Sequence, residues 1–214
     1  MLVGKRMKRN PVTIDKDSGI NEALRLLQEH RIRHLPVMDG EKMVGIVTDR
    51  DIRRVLPSPA TSLEIHELNY LLDKLRIGEV MTKKVITVVP ETTLEEAAKL
   101  LLDHKIGGLP VMDGEELVGI ITETDILEVF LEVMGVRAPS SRIELIVEDK
   151  PGALEEACRI IKGYQGNILS VVTARATLLD EEKKVLVIRL EAPDFEPLIK
   201  ALEGADYKVL SALV

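Results

Sequence analysis

The polar residues best placed to do chemistry together stand in two seven-residue stretches, Gly45-Ile46-Val47-Thr48-Asp49-Arg50-Asp51 and Gly119-Ile120-Ile121-Thr122-Glu123-Thr124-Asp125. In each, a threonine hydroxyl and a carboxylate lie three residues apart, where an apolar run gives way to a helical pattern. Capping alone could explain one such pair, with the hydroxyl taking an orphan amide and the acid favouring the positive end of the helix. A ligand could explain it too. A helix N-terminus with a hydroxyl donor suits a phosphate, and the Asp can accept from two ribose hydroxyls. Gly, Thr and Asp are kept together in both stretches while surface positions diverge, which favours a shared ligand chemistry.

The stretches belong to a longer repeat. Leu35-Pro36-Val37-Met38-Asp39-Gly40-Glu41 returns unchanged as Leu109-Pro110-Val111-Met112-Asp113-Gly114-Glu115, and the match runs without a gap from Met7 against Met81, through Thr13 against Thr87 and His30 against His104, to Asp51 against Asp125. Each copy reads as a short apolar run (Val12 to Ile14; Val85 to Val89) leading into a helix. A strand at Leu35 to Met38, an Asp-Gly turn, a strand at Met43 to Val47 and a second helix from Asp49 onward follow. Ser18 and the Thr92/Glu95 pair are the expected caps of the first helices. Units this small cannot close a core alone, so the copies should form a pseudo-twofold pair with clefts between them.

Between the copies, Pro57-Ser58-Pro59 cannot continue a helix, and Thr61 with Glu64 opens another. Its stripe of Leu68, Leu71, Leu72 and Leu75 must be covered by the repeat pair or by a second subunit, and Gly78 ends it. Gly135, Pro139, Ser140 and Ser141 mark a boundary. Beyond it come a strand at Arg142 to Val147, a turn at Asp149 to Gly152, and a helix at Ala153 to Lys162 with Leu154, Ala157, Cys158 and Ile161 inward. A strand at Ile168 to Arg175, a turn at Leu179 to Glu182 and a strand at Val185 to Leu190 lead to a helix through Leu198, Ile199 and Leu202. The last strand is Tyr207 to Leu213. That βαββαβ order is the split βαβ of ferredoxin-like domains. The fold class is therefore α+β, with repeat one at 1–78 (helical insert 60–77), repeat two at 79–138 and the ferredoxin-like domain at 142–214.

Composition narrows the function. A net charge of −7, 2% aromatic residues and no tryptophan argue against nucleic acid, which demands clustered cations and stacking rings. The basic cluster Lys5, Arg6, Lys8 and Arg9 reads as a solvated tail. Neither a membrane-length apolar run nor a signal core is present, so a cytoplasmic protein without membrane contact is expected. The single Cys158 permits no internal disulfide. No Ser/His/Asp set, metal-spaced histidine cluster, P-loop or GxGxxG appears, which points away from an enzyme and from any metal or catalytic cofactor.

Both repeats resemble CBS domains, marked by an apolar-Pro-Val strand and then an apolar run, Gly, two apolar residues and Thr-x-x-Asp; two in tandem resemble the Bateman module. The C-terminal segment resembles an ACT domain, by its Asp149-Lys150-Pro151-Gly152 turn and by Gly166-Asn167-Ile168 opening the second strand. The whole is similar to the AcuB-type acetoin-utilisation proteins. This resemblance implies an adenosyl ligand (AMP, ADP, ATP, NAD or S-adenosylmethionine) in each repeat. Thr48 would meet a phosphate or ribose and Asp51 the ribose, with Thr13 and Ile14 on the entering strand and His34 to Pro36 lining the base. The matching positions in copy two are Thr122, Asp125, Thr87, Val88 and Gly108 to Pro110. Copy one carries Arg33, His34, Arg50, Arg53 and Arg54 where copy two has Gly107, Gly108, Thr124, Leu127 and Glu128, so a polyphosphate should prefer the first. In the ACT domain the resemblance places an amino-acid effector near Asp149, Gly152, Asn167 and Ile168, between subunits; turn geometry alone would also explain Gly152. A non-catalytic regulatory protein, dimeric and acting on a partner enzyme, is the expectation. A structural module that dimerises without sensing a ligand is the competing one.

Overall fold

The computed structural model describes residues 1–56, 74–175, 183–205 and 207–213. The helix expected from Thr61 and the turn at Leu179 to Glu182 lie outside the described residues. The chain divides into two compact units, Met1–Ile126 and Leu127–Val214.

In the first unit the two repeats fold alike. Copy one contributes β2 (Ile14–Asp15), α1 (Ile20–Glu29), β3 (His34–Asp39), β4 (Lys42–Thr48) and α2 (Asp49–Val55); copy two contributes α4 (Leu94–His104), β5 (Gly108–Asp113), β6 (Glu116–Thr122) and the start of α5 (Glu123–Val133). The β3–β4 and β5–β6 hairpins turn at Gly40 and Gly114, whose φ angles of 62° and 60° are ones a residue with a Cβ rarely adopts. Both hairpins carry the same bulge, after Val37 and after Val111. Alternation along β3 and β4 sends Leu35, Val37 and Val47 inward, where they meet Ile20, Ala23 and Leu27 of α1 and Ile52 of α2. Leu75, from the leucine stripe, also packs there.

Two expected caps are displaced. Gly19, not Ser18, is the N-cap of α1, and Ser18 instead offers its carbonyl to the amide of Ile77 at 3.0 Å. Thr93, not Thr92, caps α4 by accepting from the Glu96 amide, because the Thr92 hydroxyl is taken by the Val89 amide.

What joins the repeats is an exchange of leading segments. The turn at Val3–Lys5 and β1 (Lys8–Arg9) precede copy one but dock on copy two: Val3 donates to the Thr92 carbonyl, Gly4 to that of Pro90, and β1 pairs with β6. Ile77 and Gly78, in the short α3 (Ile77–Val80), make the equivalent bonds to Ser18 and Lys16 of copy one, and Thr82 bridges Ile46 of β4. The resulting sheets have orders β1-β6-β5 and β2-β3-β4. Residues 5–9 are thus docked structure rather than the solvated tail expected from charge alone, and Gly78 lies inside a helical turn rather than ending a helix.

The second unit carries a four-stranded antiparallel sheet in the order β10 (Lys208–Leu213), β7 (Ser141–Glu148), β9 (Lys183–Glu191), β8 (Asn167–Arg175). Helices α6 (Ala153–Gly163) and α7 (Phe195–Gly204) supply Ala157, Ile161, Leu198 and Leu202 to a core closed by Ile143, Leu145, Leu186, Ile188 and Leu190. This is the ferredoxin-like order expected from the sequence. On α6, however, Leu154 is exposed and Cys158 only half-buried; Ala157 and Ile161 make the inward face. Among the described residues no helix is long and apolar enough to cross a membrane.

Candidate functional site

Thr48 and Asp51 form a reciprocal cap. The Asp51 Oδ2 accepts from the Thr48 amide at 3.0 Å and from its hydroxyl at 2.6 Å, and the Thr48 Oγ1 accepts from the Asp51 amide at 3.2 Å. Thr122 and Asp125 repeat it, with the corresponding distances at 2.8, 2.6 and 3.4 Å. Capping is therefore part of what these residues do. The caps use only one oxygen of each carboxylate. Oδ1 of Asp125 faces the Lys8 ammonium at 3.8 Å, and among the described residues no hydrogen bond to Oδ1 of Asp51 is found.

Thr48 and Asp51 also line a cleft of about 480 Å³. Copy one adds Arg33, His34, Arg50 and Arg54, and copy two adds Lys84 to Ile86 and Lys105 to Gly108, with Glu123 closing one side. A second cleft of about 400 Å³ is its counterpart under the repeat: Thr122, Glu123 and Thr124 face Lys8 to Val12 and Arg31 to His34. Both volumes fall in the range of small-molecule sites. Because leading segments are exchanged, each cleft is walled by both repeats. The charge difference expected from comparing copies is accordingly offset: the second cleft gains Lys8, Arg9, Arg31 and Arg33, while Arg53 turns to Asp49 at 3.6 Å and lines neither.

The structure brings Thr48, Asp51, Arg33, His34, Arg50 and Gly108 to the first cleft, and Thr122, Arg33 and His34 to the second. Asp125 sits behind Thr122, only 7% exposed. The remaining positions lie elsewhere. Ile14 and Val88 are buried beside β3 and β5, and Pro36 and Pro110 are buried within those strands. Thr87 is exposed outside both clefts, and Thr13 lines a third depression with Glu41 and Glu115. Lys84, Lys105, Lys8 and Arg31 were missed. Only the exchange of segments could have pointed to Lys84 and Lys8, and nothing local in the sequence encodes it.

His34 stands in both clefts. Burial lowers its pKa from the ordinary 6.5, against the attraction of Asp49, Glu123 and Asp51, while Arg33 lowers it further. The folded protein therefore holds the ring neutral and the unfolded chain takes the proton first. Stability present above pH 6.5 is lost as pH falls below it. His34→Asn should narrow the difference in melting temperature between about pH 7.5 and about pH 5.5, measured by calorimetry.

In the second unit, Gly152 caps α6 at φ 90° and Asp149 pairs with Lys184 at 2.5 Å, while Asn167 donates to Glu191 at 3.4 Å. Lys184 and Glu191 stand near opposite ends of β9, a strand of roughly 27 Å. Asp149 and Gly152 are thus apart from Asn167 and Ile168 in one chain, and a compact effector cannot touch all four there.

Family models match this architecture closely: CBS domain at residues 3–58 and 77–132, and TTHA0829-like ACT domain at residues 140–212. A solved structure from Vibrio cholerae, provisionally assigned as an acetoin utilization protein (AcuB), is 33% identical over 65% of this chain and 98% of its own, with a TM-score of 0.53. The CBS domain pair of protein MJ0100, solved with 5′-methylthioadenosine and S-adenosyl-L-methionine, is 32% identical over 61% of this chain and 95% of its own, with a TM-score of 0.50. CBSX2, solved with AMP, is 32% identical over 62% and 97%, also at 0.50. Inosine-5′-monophosphate dehydrogenase of Korarchaeum cryptofilum is 37% identical, but the match covers 55% of this chain and only 22% of that enzyme. With its two repeats alone matching more than half of the residues, the chain belongs to the CBS-domain proteins and carries an ACT domain after the CBS pair.

Proposed function

We propose that this protein is a non-catalytic regulator that holds adenosyl ligands in the two clefts of its CBS pair. The observation that carries the reading is the first cleft itself, where two threonine hydroxyls, three carboxylates and five cationic side chains line one cavity of nucleotide-compatible size. Thr48 and Arg50 would meet phosphate, and Asp51 the ribose. Support comes from related CBS pairs that bind AMP, S-adenosylmethionine or methylthioadenosine. Occupancy would shift the repeats against each other, and the ACT domain would read a second metabolite or pass the change to a partner enzyme. An amino-acid effector at Asp149, Gly152, Asn167 and Ile168 would need two chains, since one chain holds these residues apart, so a homodimer is part of this proposal. The repeat boundaries at residues 78 and 138 and a cytoplasmic location belong to the same proposal.

The competing reading, an assembly module without ligand, is favoured by one observation: the reciprocal cap already engages the Thr48 hydroxyl and one oxygen of Asp51. A thermal-shift panel of AMP, ADP, ATP, NAD and S-adenosylmethionine, then amino acids, separates the two. A ligand at a hundred times its Kd should stabilise by about 2.7 kcal/mol. No shift with any compound at millimolar concentration leaves assembly.

A further inference from the structure

His34 and Gly108 are equivalent positions of the repeat, as are Arg33 and Gly107. Across the junction the His34 ring lies against that glycine pair: a Cβ at Gly107 would stand 2.9 Å from its Nε2, and one at Gly108 would stand 3.2 Å from its Cγ and Cδ2. The imidazole thus packs into the space that copy two's glycines leave open, and a side chain at either would press on it. The two clefts share Arg33, His34, Gly107 and Glu123 as lining residues, so a single imidazole stands in their common wall. The charged groups acting on it are Arg33 beside it, Asp49 and Asp51 of α2, and Glu123 of α5; the glycine pair of copy two adds none.

Resting on the adenosyl-ligand reading, we infer that His34 is a specificity-determining side chain shared by both clefts: it takes a proton from solvent when a phosphate-bearing ligand enters either one, and has no second proton to offer the other. A half-buried neutral imidazole gains a counter-ion when the phosphate arrives, so binding draws its pKa upward. The two clefts are then linked, and by reciprocity the first occupant changes the affinity of the second.

The test is calorimetric titration of the full chain with AMP between about pH 6.5 and about pH 8. Proton uptake makes the first step weaken by up to about tenfold per pH unit beyond the second, while the titration of AMP itself enters both steps alike. His34→Asn, and separately His34→Gly to copy the residue at 108, should bring the two slopes together. If wild type binds a single AMP, its slope should exceed that of both variants. Equal slopes in wild type, or a difference that survives both substitutions, overturns the role of His34 while leaving the clefts as nucleotide sites. Absence of AMP binding to wild type overturns the adenosyl reading for AMP and this inference with it.

Discussion

Asp51→Ala is expected to weaken adenosyl-ligand binding at the first cleft about ten- to a hundredfold, the cost of roughly 1.5–3 kcal/mol for losing a charge-assisted hydrogen bond. The same substitution breaks a reciprocal cap, since Oδ2 of Asp51 holds both the amide and the hydroxyl of Thr48. Stability should therefore fall as well, by about 0.5–2 kcal/mol. The two effects separate with Asp51→Asn, whose amide oxygen still accepts from the Thr48 amide but carries no charge. Ligand affinity, read by calorimetry, should drop with both substitutions; the denaturation midpoint should drop mainly with alanine. A purely capping role gives the opposite pattern, with stability lost and binding of every adenosyl compound unchanged.

The second large effect is expected at Gly45. A Cβ there would meet the Met81 side chain, at 2.9 Å from its Cγ, and the backbone oxygen of Thr82 at 3.0 Å. Methionine can move aside at little cost. The Thr82 carbonyl cannot, because it accepts from the Ile46 amide at 3.0 Å while the Thr82 amide donates back at 2.9 Å. Valine at this position overpacks the crossing, and about 1–3 kcal/mol of stability should be lost in urea unfolding. Lys84 to Ile86, held to copy one by this bridge, form one wall of the first cleft, so ligand affinity there should fall with it. Gly119→Val should do the same to the second cleft, where a Cβ would meet Met7 and the Lys8 carbonyl at 3.0 Å. Full stability of both variants would mean that the crossing is not tightly packed.

These glycines show why the repeat was legible and the clefts only in part. Gly45 and Gly119 stood out in the sequence as members of a duplicated pattern, but their reason is a neighbour in the other repeat. Local pattern was enough for the hairpins, whose alternation and Asp-Gly turns are nearest-neighbour effects, and for the βαββαβ order. It was not enough for Lys8 and Lys84. They reach the clefts only because segments far apart in the chain exchange places, and docking the basic N-terminal cluster on copy two overrode its tail-like composition. The caps are displaced by one residue each: at Thr92 the hydroxyl is taken by the local Val89 amide, leaving Thr93 as the cap. At Ser18 the helix starts one residue later, from Gly19, and the Ser18 carbonyl accepts from the incoming Ile77 amide. The resemblance puts Thr13, Ile14, Thr87 and Val88 at the ligand; Ile14 and Val88 bridge Val37 and Val111 of their own repeat, and none of the four lines either cleft.

The most direct measurement is a crystal structure of the full chain grown with AMP. The account predicts AMP in the cleft between α2 and the Val85–Ile86 segment, its ribose hydroxyls on Oδ1 of Asp51 and its phosphate near Thr48 and Arg50. AMP bound away from both clefts, with the Thr48 and Asp51 side chains engaged only in capping, would contradict it.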